Sequence, residues 1–120
     1  MIRILLADKR PAVLKGLQMN LSLEPDCHIV GSTSSGSDLL TLYHELQPDV
    51  IVVDAAILTE AAAQELMRQV SQGNGRVIAH SIYDNRASRA EALALGANAF
   101  VVKQGGSQQL LAAIRQISER

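Results

Sequence analysis

The sequence predicts an α/β fold: a doubly wound, five-stranded parallel sheet with helices on both faces, in three α/β/α layers. Three observations predict it. Short apolar runs at 2–7, 28–30, 50–53, 77–80 and 99–102 have the length and the Val/Ile content of strands. Segments with apolar residues at helical spacing separate them. The first, third and fifth runs are almost unbroken in hydrophobicity, which suits strands covered on both sides.

Each element carries its own signal. Pro11 opens the first helix, where a missing N–H costs nothing, and Leu14, Leu17 and Leu21 share one face. The second helix starts near Ser37 and presents Leu39, Leu42 and Leu46, and Pro48 marks its end. Residues 31–36 before it read as a flexible loop, since no lysine follows the second glycine as in a phosphate loop. Thr59 stands where it can cap an alanine-rich helix over Ala61–Val70. Gly73-Asn74-Gly75 is a turn cluster. Asn85 or Asp84 caps a helix reaching Leu95, with Gly96 placed as a C-terminal glycine. The last helix follows Gly105-Gly106-Ser107 and turns Leu110, Leu111, Ile114 and Ile117 inward. Met19 and Met67 read as packing residues. His28, His44 and His80 read as ordinary histidines without ligand spacing.

Length and composition narrow the function. The 120 residues read as one domain, 1–120, able to bury about two-thirds of its unfolded surface. No linker or repeat divides it, and any second domain is expected outside this chain. A net charge of -1 leaves no electrostatic footprint for nucleic acid or an anionic membrane. Phe100, Tyr43 and Tyr83 make no platform for stacked bases. Cys27 stands alone, which rules out an internal disulfide or a cysteine-cluster zinc site and suits a reducing, cytoplasmic compartment. The first residues are too few and charged too early for a signal peptide, and no apolar run approaches a membrane span.

In open α/β sheets, ligands sit beyond the carboxyl ends of the strands, at the switch in strand order. Asp8 ends the first run, Asp54 the third, Ser81 the fourth, and Lys103 follows the fifth. These four are expected to converge at one edge of the fold.

With these residues in register, the chain resembles the receiver domain of two-component response regulators over essentially its whole length. Ile4-Leu5-Leu6-Ala7-Asp8 resembles the opening strand and its acidic end. Gln47-Pro48-Asp49-Val50-Ile51-Val52-Val53-Asp54 resembles the strand that delivers the phosphoacceptor. Ser81 resembles the switch hydroxyl, and Gly96-Ala97-Asn98-Ala99-Phe100-Val101-Val102-Lys103 the switch aromatic and the lysine of the site. Gln104 stands where many receivers have proline, as in those that precede LuxR-type helix-turn-helix domains. The resemblance implies a flavodoxin-like sheet of order 2-1-3-4-5, with Asp54 as phosphoacceptor, Ser81 and Phe100 as switch residues and Lys103 binding phosphoryl oxygens. It also implies Mg2+ at Asp8, Asp54 and the Ala56 backbone. The implied partners are a histidine kinase or phosphotransfer protein, a DNA-binding output domain absent from this chain, and a second copy in a weak homodimer. The implied chemistry is transcription regulation with at most self-phosphorylation and self-dephosphorylation, not an enzyme in the ordinary sense.

The chain departs from the family at three places. Lys9 stands where the family has a second acidic residue, the usual direct metal ligand. Leu58 stands where proline is usual, four residues after Asp54, and Ala62 where a glycine pair is usual. Magnesium wants several hard oxygens, so its site is expected to be weak. Lys9 is expected to pair with Asp54 instead, an attraction of roughly 4 kcal/mol before desolvation. The alternative reading is a pseudo-receiver, a phosphorylation-independent protein-interaction module. A small α/β enzyme finds no support, for there is no nucleophile–base pair and no dinucleotide glycine fingerprint.

Overall fold

The structure is a computed structural model that describes residues 1–73 and 76–119. Its strands are β1 (Ile2–Ala7), β2 (Cys27–Thr33), β3 (Val50–Asp54), β4 (Arg76–Ser81) and β5 (Ala99–Val102). Its helices are α1 (Pro11–Ser22), α2 (Gly36–Leu46), α3 (Ala55–Leu58), α4 (Ala61–Val70), α5 (Arg86–Ala94) and α6 (Gly106–Ser118). The strands form one sheet in the order β2-β1-β3-β4-β5, and every neighbouring pair is parallel. This is the expected flavodoxin-like arrangement.

Alternation along each strand divides the core in two. Leu5, Ala7, Ile51, Val53, Val77, Ala79 and Phe100 face one side, under α2, α3, α4 and α5 through residues such as Leu39, Leu58, Leu66 and Ala92. Ile4, Leu6, Val50, Val52, Ile78 and Val101 face the other, against α1 and α6 through Leu21, Leu110, Ile114 and Ile117. Because both faces are covered, the central strands must be apolar at every position, which is why their runs are unbroken.

The helix ends obey local chemistry. Pro11 is in the first turn of α1. The Asn85 side chain accepts the Ser88 N–H at 2.8 Å and starts α5. Gly96 closes α5 at φ 108, where its N–H and that of Ala97 return to Leu93 and Ala92. Helix α2 begins one residue ahead of expectation, because Ser35 Oγ accepts the Asp38 N–H at 3.2 Å. It stops at Gln47, in the left-handed region at φ 50, and Pro48 cannot continue it.

Several expectations need correction. Strand β2 runs on to Thr33 alongside β1 and α2 starts at Gly36, so only Ser34 and Ser35 of segment 31–36 are loop. The stretch after Asp54 is helical from Ala55, and Leu58 is a fully buried core residue of α3. Thr59 does not cap α4. That position belongs to Glu60, and the Thr59 hydroxyl instead donates to the Ala56 carbonyl at 2.8 Å. Met67 is buried, but Met19 is exposed on α1 rather than packed. Of the turn cluster Gly73-Asn74-Gly75, Asn74 and Gly75 lie outside the described residues. Among the described residues, no helix is long and apolar enough to cross a membrane.

Candidate functional site

Parallel strands leave their carboxyl ends at one edge, and there β1, β3, β4 and β5 deliver Asp8, Asp54, Ser81 and Lys103. Lys103 ties the set together. Its Nζ lies 2.7 Å from Asp8 Oδ2 and 3.5 Å from Asp54 Oδ1. Asp8 is 1% exposed, Lys103 11% and Asp54 14%, so the three charges sit largely out of water.

The remaining oxygens are mostly committed. Asp8 Oδ1 accepts the Arg10 N–H at 2.9 Å, and Asp54 Oδ1 accepts the Ala56 N–H at 3.2 Å, which starts α3. The Ala56 carbonyl takes the Thr59 hydroxyl. Asp54 Oδ2 has no partner among the described residues. Asp54, Ser81 and Lys103 line one cavity of about 390 Å³, together with Arg10, Leu58, Ile82, Tyr83 and Leu95. The Ser81 hydroxyl accepts the Tyr83 N–H at 2.9 Å and is thus held by its own loop. Phe100 is buried on β5, away from that cavity, with the Arg89 guanidinium 4.8 Å above its ring.

The structure overturns the expected Lys9–Asp54 pair. Lys9 Nζ lies 3.1 Å from Glu60 Oε2 instead. The other oxygen of that carboxylate accepts the Gly36 N–H at 3.1 Å, so Glu60 clasps the loops after β1, β2 and β3. The reason is competition: Lys103 already sits between the two aspartates, while Glu60 is a half-buried acid with no other cation among the described residues.

A divalent cation finds a poor donor set. Lys9 offers no oxygen, Asp8 and the Ala56 carbonyl are engaged as described, Asp54 keeps only Oδ2 open, and among the described residues no three His, Cys, Asp or Glu side chains converge as metal ligands. The residues present do not fit a tightly held Mg2+.

Sequence reasoning missed three participants. Glu60 received no role, although a cation at Lys9 called for a nearby acid. Arg10 lines the cavity although only its neighbour drew notice. His80 was read as ordinary, yet it is buried beside Asp54 in the β3–β4 register, and its Nδ1 finds no partner among the described residues. Burial pushes its imidazole down to about 4, with the Lys103 charge assisting, so it is neutral at physiological pH.

Comparison with known proteins follows the same lines. The family model of the response regulator receiver domain matches residues 4–115. The transcriptional regulatory protein LiaR of Bacillus subtilis is 31% identical over 124 residues, which cover 99% of this chain and 57% of LiaR. The nitrate/nitrite response regulator protein NarL of Escherichia coli is 29% identical over 115 residues, 94% of this chain and 53% of NarL. The chain thus spans about half the length of the curated relatives it matches. Among solved structures, the signal receiver domain of NarL from Mycobacterium tuberculosis superposes with a TM-score of 0.87 at 25% identity, covering 98% of this chain and 96% of that one. The response regulator domain of CheB from Thermotoga maritima gives 0.84 at 28% identity, covering 100% and 98%.

Proposed function

Because this chain belongs to the response regulator receiver domain family, we propose that it accepts a phosphoryl group on Asp54 from a phosphohistidine of a kinase or phosphotransfer protein. The observation that carries this reading is the placement of Asp54 in one cavity with Ser81 and Lys103, with Lys103 bridging Asp54 to Asp8. Asp54 Oδ2, the oxygen without a partner, is the nucleophile. Lys103 stays beside the new acyl phosphate as a point charge.

The charge change then drives the switch. Ser81 leaves the Tyr83 N–H and donates to a phosphoryl oxygen, which draws the β4–α5 loop inward. Phe100 gives up its place under Arg89 and follows the loop. The role is transcription regulation, as the name of LiaR gives for that protein; the output is a DNA-binding domain outside these residues, and the compartment is the cytoplasm. Residues 1–120 act as one receiver unit, with a weak homodimer on the switched face. Magnesium, common in receiver domains, has at most a weak place here.

Incubation with acetyl phosphate followed by intact mass analysis tests the reading. One added phosphoryl group is expected on the wild type and none on Asp54→Asn, because an amide is not the nucleophile. Equal labelling of both proteins would remove Asp54 from the role. A wild type that no donor labels would leave the fold as a phosphorylation-independent module.

A further inference from the structure

We propose that Arg10 receives the phosphoryl oxygens in the Asp54 cavity, so that Asp54 is phosphorylated without a divalent cation. The inference rests on the reading of Asp54 as phosphoacceptor and assigns the counter-charge of that same site.

Two cations line the cavity, Arg10 and Lys103, and a third, Lys9, stands next to Arg10 in the chain; two of the three are already committed. Lys103 is held by Asp8 and Asp54, and Lys9 is turned away to Glu60. Arg10 lines the cavity, is exposed, and its guanidinium takes no ion pair or hydrogen bond among the described residues. Arg10 and Asp54 line the same cavity without pairing with each other, so an incoming group can lie between them. Its backbone is nevertheless fixed. The Arg10 N–H is held by Asp8 Oδ1, its carbonyl accepts the N–H groups of Val13 and Leu14 at 3.1 and 3.2 Å, and Pro11 follows. A free guanidinium on an anchored backbone offers a planar fork for a bidentate grip on phosphoryl oxygens.

Charge points the same way. The cavity walls carry Lys103 and Arg10 against Asp54 and Glu91, with Asp8 behind Lys103, so the formal charge is -1 without a metal ion. A dianionic phosphoryl donor therefore needs a cation there, and among the described residues of the wall Arg10 is the uncommitted one. In the step itself, Asp54 Oδ2 forms the new O–P bond. The P–O bond to the acetyl group of acetyl phosphate breaks, and acetate leaves with the electron pair. No proton moves, and the phosphoryl charge passes from donor to Asp54 within reach of Arg10.

Acetyl phosphate labelling, read by intact mass in excess EDTA and again in Mg2+, tests this. Wild type is expected to label in EDTA at a rate close to that in Mg2+, well inside the loss expected on removing Arg10. Arg10→Gln, checked for folding by circular dichroism, should label about tenfold to a hundredfold more slowly in EDTA, the loss expected for charge-assisted bonds to a phosphoryl group. Lys9→Gln should label like wild type. Labelling that requires Mg2+, or that is indifferent to Arg10→Gln, overturns the role of Arg10 and leaves Asp54 as phosphoacceptor. Absence of label on Asp54 in both media overturns both.

Discussion

Two clusters in this molecule use the same parts, one cation and two carboxylates, at opposite ends of the sheet. At the carboxyl end, Lys103 joins Asp8 and Asp54 in a setting nearly closed to water. At the amino end, Arg115 of α6 joins Glu24 and Asp26, just before β2. Its Nε is 2.9 Å from Asp26 Oδ2, and its Nη2 is 3.0 Å from Asp26 Oδ1 and 2.9 Å from Glu24 Oε1. Arg115 is 42% exposed. The hydrogen bonds from Arg115 hold the Asp26 carboxyl below the usual carboxylate range. The fork uses its geometry fully and is bathed in solvent, so it is a clip between two elements. The ammonium is a point charge shared unequally between two acids, with one acid oxygen left over. Burial makes the Lys103 cluster costly to break, and incomplete satisfaction makes it open to a ligand.

The largest effect should come from breaking the buried cluster. Lys103→Met should lower stability by about 3–5 kcal/mol, because two carboxylates are left without their cation. Urea denaturation measures it, and adding Asp8→Asn should recover part of the loss. A loss no greater than that of an exposed lysine would erase the contrast between the clusters.

Acid should discriminate nearly as strongly. The His80 imidazole has its ordinary value near 6.5 when unfolded and about 4 when folded. The unfolded chain therefore binds the extra proton between these values. The stabilising contribution is complete above about pH 6.5 and is lost as pH falls toward 4, in all about 3 kcal/mol. His80→Leu should flatten that slope in urea midpoints measured against pH. An unchanged slope would shift the acid sensitivity elsewhere.

The exposed clip should respond to salt instead. Arg115→Gln should cost less than Lys103→Met, and about 0.5 M sodium chloride should remove most of the difference from wild type, since exposed ion pairs are screened. Persistence of the full effect in salt would make this cluster resemble the other. The smallest effect belongs to Lys9→Gln, which removes a half-exposed pair and should change the urea midpoint barely above error.

The sheet was legible because burial on both faces demands unbroken Val, Ile and Leu at β1 and β3, a pattern that polar elements cannot imitate. The site was legible at Asp8, Asp54, Ser81 and Lys103 because parallel strands put their carboxyl ends together regardless of loop detail. What failed depended on three-dimensional competition. Lys9 had two acids within plausible reach, and only packing showed that Lys103 occupied the first while Glu60 remained. Helix α3 carries no periodic signal at four residues, so Ala55 and Ala56 read as loop. Thr59 has the right chemistry for a cap, but the preceding helix placed the Ala56 carbonyl within reach of its hydroxyl first.

The Glu60 clasp also constrains the history open to this sequence. A return to an acidic residue by Lys9→Asp alone sets a carboxylate beside Glu60, where a cation now stands at 3.1 Å. Removing Glu60 alone strands Lys9 and takes the acceptor from the Gly36 N–H. Positions 9 and 60 are therefore coupled: an acid at position 9 is accommodated only once Glu60 has changed too, whereas a neutral residue at position 9 passes with little effect.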